Sequence, residues 1–74
     1  MNITDLKIDN AAVIERMEGA DDFTNRLADL GLGPEITVRL VRIAPGGSPY
    51  LLKIGDFYVS IRRDDAARIH VRSL

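Results

Sequence analysis

Cysteine and tryptophan are absent from this 74-residue chain, and histidine occurs once, as His70. Without thiols there is no disulfide, no thiolate nucleophile and no cysteine ligand for a metal. That absence fits a reducing compartment. Aromatic side chains are few: Phe23, Tyr50, Phe57 and Tyr58. A groove for proline-rich peptides needs several aromatics lining one place, and Phe23 is needed elsewhere, in a helix. No apolar run approaches the ~20 residues that span a bilayer. The opening residues Met1–Lys7 lack a basic region followed by an apolar stretch, so no secretory signal is read there. These absences predict a cytoplasmic protein without direct membrane insertion.

A strong excess of charge is also lacking, since the formal net charge is −1. A dedicated nucleic-acid binder would be far more basic, so no nucleic-acid partner is expected. The charge is unevenly placed. Residues 1–35 carry three basic and eight acidic side chains, a net of −5. Residues 36–74 carry seven basic and three acidic, a net of +4. Such a distribution is either two solvated faces or a dipolar surface that orients a charged partner. What is present is ordinary: 46% hydrophobic and 28% charged residues describe a soluble globular chain. At this length one domain is expected over residues 1–74, with a small core that takes about 60% of the unfolded surface out of water.

Along the chain, Leu6 and Ile8 anchor a short lead-in, and Asp9-Asn10 is a turn pair. Ala11 to Met17 reads as a strand whose phase needs a bulge if Met17 is to join Ile14 inside. Asp21 or Asp22 can cap a helix over about residues 22–30. Phe23, Leu27 and Leu30 recur at helical spacing and form its apolar stripe. Gly31 follows as a left-handed end and Leu32 folds back on the last turn. Pro34 then stops the helix and starts the next strand. From Glu35 to Ile43 the residues alternate, with a slip of phase at Val41 that calls for a second bulge. Ala44 to Pro49 is a loop. Tyr50–Ile54 and Phe57–Arg62 are strands joined by Gly55-Asp56, a pair suited to a tight hairpin. A single helical turn is expected near residues 63–67, then a last strand with Ile69 and Val71 inward. Five short strands and one helix in so small a chain predict a mainly β, partly open barrel.

Catalysis finds no support in these residues. Nothing links Ser48, Ser60 and His70 into a nucleophile and base. Gly46-Gly47 lacks the lysine and spacing of a phosphate loop. Transition-metal sites gather several imidazole, thiolate or carboxylate ligands. One histidine on the outward phase of a strand and the adjacent pairs Asp21-Asp22 and Asp64-Asp65 do not suggest such a gathering. No catalytic residue, metal site or cofactor is therefore expected.

Three blocks in order resemble the FeoA family, the small cytosolic partner in bacterial ferrous iron uptake. They are Arg26-Leu27-Ala28-Asp29-Leu30-Gly31-Leu32-Gly33-Pro34, Ala44-Pro45-Gly46-Gly47-Ser48-Pro49, and Ile61 to Val71. The family's glycine after the helix-breaking proline is Glu35 here, and the lead-in Leu6-Lys7-Ile8-Asp9 lacks the usual Pro-Gly. A side chain enters a positive-φ turn at a cost, so the turn at Glu35 is expected to be shaped differently. At the lead-in Asn10 is expected to stand in for glycine.

The resemblance implies an SH3-like barrel and binding to FeoB, the membrane transporter with a cytosolic GTPase region. It also implies an alternative, since the same domain serves metal-dependent repressors and could act through a DNA-binding partner. The expected partner surface is the outward strand face of Arg39, Leu51, Tyr58 and Arg62, with the loop carrying Gly46 and Gly47 beside it. Arg39, Arg42, Arg62 and Arg63 are also the arginines that could assist a GTPase in trans. Phe23, Leu27, Leu30, Gly31 and Pro34 are read as structural, plugging the barrel and ending the helix. An open barrel edge could pair two copies weakly.

Overall fold

The computed structural model describes residues 1–19 and 21–74 and leaves the side chain of Asp21 undescribed, so a cap from Asp21 lies outside the described residues. Five strands and two helices follow a short 3-10 turn at Ile3–Asp5: β1 Ala11–Met17, α1 Asp21–Asp29, β2 Thr37–Ile43, β3 Tyr50–Ile54, β4 Phe57–Ile61, α2 Arg63–Ala66 and β5 Ile69–Ser73. All pairings are antiparallel, in the order β4-β3-β2-β1-β5. The first turn is fastened by Asn2, whose side chain accepts from the Thr4 N–H while Asp5 accepts from the Asn2 N–H, a reciprocal capping box.

Two bulges curl the sheet. One lies between Ile14 and Arg16, where β1 meets β5. The other lies between Leu40 and Arg42, where β2 meets β3. Each bends its strand and sharpens the twist, so five short strands wrap around one core. That core joins Ile14, Val38, Leu40, Leu52, Ile69 and Val71 from the sheet to Ile3 and Leu6 from the lead-in. Phe23, Leu27 and Leu32 close it from the helix side.

The end of α1 corrects one expectation. Leu30 does not plug the barrel; it is 47% exposed. The helix stops one residue earlier, at Asp29. Gly31 turns left-handed at φ 92°. Its N–H donates to Ala28 at 2.9 Å, and the Leu32 N–H donates to Leu27 at 2.9 Å. Those two bonds are a Schellman end. The reversal swings Leu30 out and folds Leu32, 1% exposed, back onto Leu27.

The turn after it corrects a second. Pro34 is an exposed turn corner, and β2 begins only at Thr37. The Ile36 N–H donates to Gly33 at 3.2 Å, closing a turn across Pro34 and Glu35. Glu35 sits at φ 68°, the left-handed third position that a type II turn requires. The glutamate itself takes the left-handed backbone that usually favours glycine. At the lead-in the left-handed residue is Asp9, at φ 73°, rather than Asn10. Its N–H donates to the Leu40 carbonyl at 2.6 Å and ties the lead-in to β2.

Candidate partner-binding surface

The bulge in β2 decides what faces outward. Without it Arg42 would share the inward phase of Leu40; with it, Arg42 rejoins the side of Arg39. Register then builds two rows across three strands. Arg39 lies beside Lys53, and Lys53 beside Tyr58. Arg42 lies beside Leu51, and Leu51 beside Ser60. The Lys53 ammonium sits 5.7 Å from the Tyr58 ring centre, a cation–π contact. The guanidinium of Arg39 donates to the Asp9 carbonyl.

Leu51 is half-buried and lines a shallow groove with Arg42, Ala44, Pro49 and Ser60. The loop carrying Gly46 and Gly47 adjoins that end of the face. It is closed by the Ala44 N–H donating to Pro49 at 3.0 Å and held to α2 by Ser48 Oγ, which accepts from the Arg63 N–H at 3.1 Å. Gly46 and Gly47 both have positive φ, 90° and 92°, which suits glycine there. Arg39, Leu51 and Tyr58 thus share one face through Lys53 and Arg42, which the sequence reading left out of the surface. Arg62 stands apart from the two rows. It lines a groove against α1 with Arg26, Leu27, Leu30, Ser60 and Asp65.

A neighbouring groove of about 520 Å³ is mostly apolar, lined by Leu30, Ile54, Phe57, Tyr58 and Val59 with Asp29 and Gly31. Leu30, Phe57 and Tyr58 are exposed at 47%, 72% and 59%. Contiguous apolar surface of this kind marks contact sites on small proteins. Phe57 belongs to the inward phase of β4, but it sits at the hairpin end, beyond the core.

Ion pairs sort the cations. Arg16 meets Glu18, Arg26 and Arg68 meet Asp65, and Arg72 meets Glu35, all within 4 Å. Among the described residues Lys7, in the lead-in, and Arg39, Arg42, Lys53, Arg62 and Arg63 have no such carboxylate. The unneutralised cations therefore concentrate on β2–β4 and the start of α2. His70 Nε2 is closed off from solvent and lies 2.8 Å from Glu18 Oε1, at ion-pair distance but outside hydrogen-bonding direction. This contact, and then Arg16, holds the Glu18 carboxyl below its ordinary value near 4.5. Arg72 does the same for Glu35. No three His, Cys, Asp or Glu side chains converge on a metal-sized point among the described residues.

A family model described as the FeoA domain matches residues 1–73. The chain belongs to the FeoA family. A relative in Porphyromonas gingivalis (strain ATCC BAA-308 / W83) is named as an Fe(2+) transport protein A/Fe(2+) transporter FeoB fusion protein. It is 38% identical over 71 residues, which are 96% of this chain and 8% of the relative. The chain thus spans under a tenth of that relative's length. The solution structure of iron(II) transport protein A from Clostridium thermocellum superposes with a TM-score of 0.94 at 28% identity, over 100% of this chain and 46% of that one. Stenotrophomonas maltophilia FeoA complexed with zinc, described as a prokaryotic SH3 domain protein, superposes at 0.82 and 30% identity, over 97% and 89%. The FeoA domain here is accordingly a mainly β, SH3-like fold. No helix among the described residues is long and apolar enough to cross a membrane.

Proposed function

We propose that this chain is a cytosolic accessory protein of ferrous iron uptake that binds the soluble GTPase region of a FeoB-type transporter. It does so without chemistry of its own. The observation that carries this reading is the Porphyromonas gingivalis relative, in which a sequence 38% identical to this one shares a polypeptide with FeoB. A fusion keeps its two parts as permanent neighbours. Parts held so close need a surface on which to meet. The unneutralised cations of β2–β4 and the apolar groove beside Leu30 are surfaces of that kind.

The test is direct binding. The purified chain is titrated calorimetrically with the soluble region of a FeoB-type transporter, with and without guanine nucleotide. Saturable binding is expected. Its absence at tens of micromolar protein in every nucleotide state would overturn the reading and favour a role through a DNA-binding partner.

A further inference from the structure

The ladder of β4 is used on one side. Ile54 and Phe57 flank the two-residue turn and pair with each other; with Gly55 left-handed at φ 56°, such a hairpin makes them a hydrogen-bonded pair. Alternation then turns Val59 and Ile61 toward β3. It points the N–H and C=O groups of Tyr58 and Ser60 off the sheet. Among the described residues no backbone hydrogen bond from another element reaches either one. The opposite edge differs. There the Val71 N–H donates to Met1 at 2.9 Å and Asn2 bridges His70. One edge is covered and the other is open.

The open edge also faces a trough. Every residue from Phe57 to Arg62 lines one of two adjoining grooves, of about 520 and 320 Å³, and Leu30 stands in both. The far wall is the last turn of α1. The five strand residues Phe57–Ile61 span about 17 Å, a usual strand length.

We infer that β4 accepts an extended segment of the transporter partner as an added strand, its residues alternating apolar and acidic. The inference rests on the function proposed above and deepens it. Strand addition takes affinity from the main chain and specificity from alternate side chains. Inward side chains of the added strand meet Leu30, Ile54 and Val59. Outward ones lie beside Tyr58 and Ser60, with Lys53 and Leu51 next across the sheet, Arg42 one strand further, and Arg62 just past the end of β4. Those three cations lack carboxylate partners among the described residues, so acidic residues complement the outward side and basic ones are rejected.

The experiment follows amide signals of the labelled chain during titration with the FeoB-type soluble region. Hydrogen exchange at Tyr58 and Ser60 is expected to slow by roughly tenfold or more on binding. Ser60→Pro removes an edge donor where proline is tolerated and is expected to weaken binding by roughly tenfold or more. Leu30→Asp, outside the core, and Arg62→Glu are expected to weaken it also, while Glu15→Lys on β1 binds as the native chain does. If the native chain does not bind, the inference falls together with the function it rests on. If it binds with Tyr58 and Ser60 unprotected, and Ser60→Pro and Leu30→Asp bind equally well, the added strand alone is overturned. Protection of the same amides that grows with this chain's own concentration would seat a second copy on the edge and overturn it too.

Discussion

Arg72 reaches from β5 to Glu35, with Nη2 donating to Oε2 at 2.8 Å. That pair crosses to the turn where Glu35 holds a left-handed backbone at φ 68°. Glu35→Gly and Glu35→Ala both remove the pair, but only alanine keeps a β-carbon in the left-handed region. The glycine variant should therefore be more stable than the alanine variant by about 1 kcal/mol. Urea unfolding of the two proteins measures the difference. Equal midpoints would mean that the turn relaxes once the glutamate is gone.

The same pair sets an acid dependence. Arg72 holds the Glu35 carboxyl below its ordinary value near 4.5, and His70 with Arg16 does so for Glu18. A carboxyl depressed in the fold leaves the unfolded chain binding more protons, so stability rises with pH. The contribution is fully present above 4.5 and is lost as pH falls through the lowered values. Both carboxyls are exposed, so the effect is modest and shrinks in salt. The urea midpoint should be level down to about pH 5 and fall below it. Arg72→Met should flatten part of that fall, and an unchanged slope would remove Glu35 from the account.

Leu27, Leu30 and Leu32 separate two pictures of the helix end. Leu27 and Leu32 are each 1% exposed, whereas Leu30 is 47% exposed. Leu27→Ala and Leu32→Ala should each cost about 2–5 kcal/mol. Leu30→Ala should cost under about 1 kcal/mol. Denaturant unfolding of the three variants decides it. A large loss at Leu30 would place that side chain back in the core.

The contrast shows what a single sequence carries. Alternation marked the strands, and the phase slip at Val41 became the bulge that turns Arg42 outward. The helical stripe Phe23, Leu27, Leu30 was legible, but its last member was misplaced. Spacing assumes that a helix continues, and Gly31 ends it in a geometry that exchanges Leu30 for Leu32. Intrinsic preference argued against a left-handed Glu35, and the cross-element contact with Arg72 is not visible in local sequence. The surface followed the same rule. Phase alone put Arg39, Leu51 and Tyr58 on one side. Register between strands was needed to add Lys53 and Arg42. Leu30 and Phe57 lie far apart in sequence, and only the fold brings them to one groove.

Arg68 offers a test of how α1 is held down. Its guanidinium lies 3.7 Å from the Phe23 ring centre. Its Nε donates to the Glu18 carbonyl at 3.0 Å, just past the end of β1. Removing it loses a stacked cation and a donor together. Arg68→Ala should cost about 1–2 kcal/mol. Arg68→Lys keeps the charge but not the planar stack and should fall between. A lysine variant as stable as the native protein would show that charge alone matters there.

Ferrous or zinc ions should find no ready site. A transition-metal site needs several free ligands at one point. Here the one imidazole lies against Glu18, and Glu18 also meets Arg16 at 3.4 Å. Asp65 is engaged by Arg26 at 3.5 Å and Arg68 at 3.9 Å. A cation approaching either carboxylate must displace a cation already present. Stoichiometric ferrous or zinc ion should therefore leave the amide NMR spectrum unchanged. Saturable shifts confined to Glu18, His70 or the Asp64-Asp65 pair would overturn this and make the added metal a ligand of this chain.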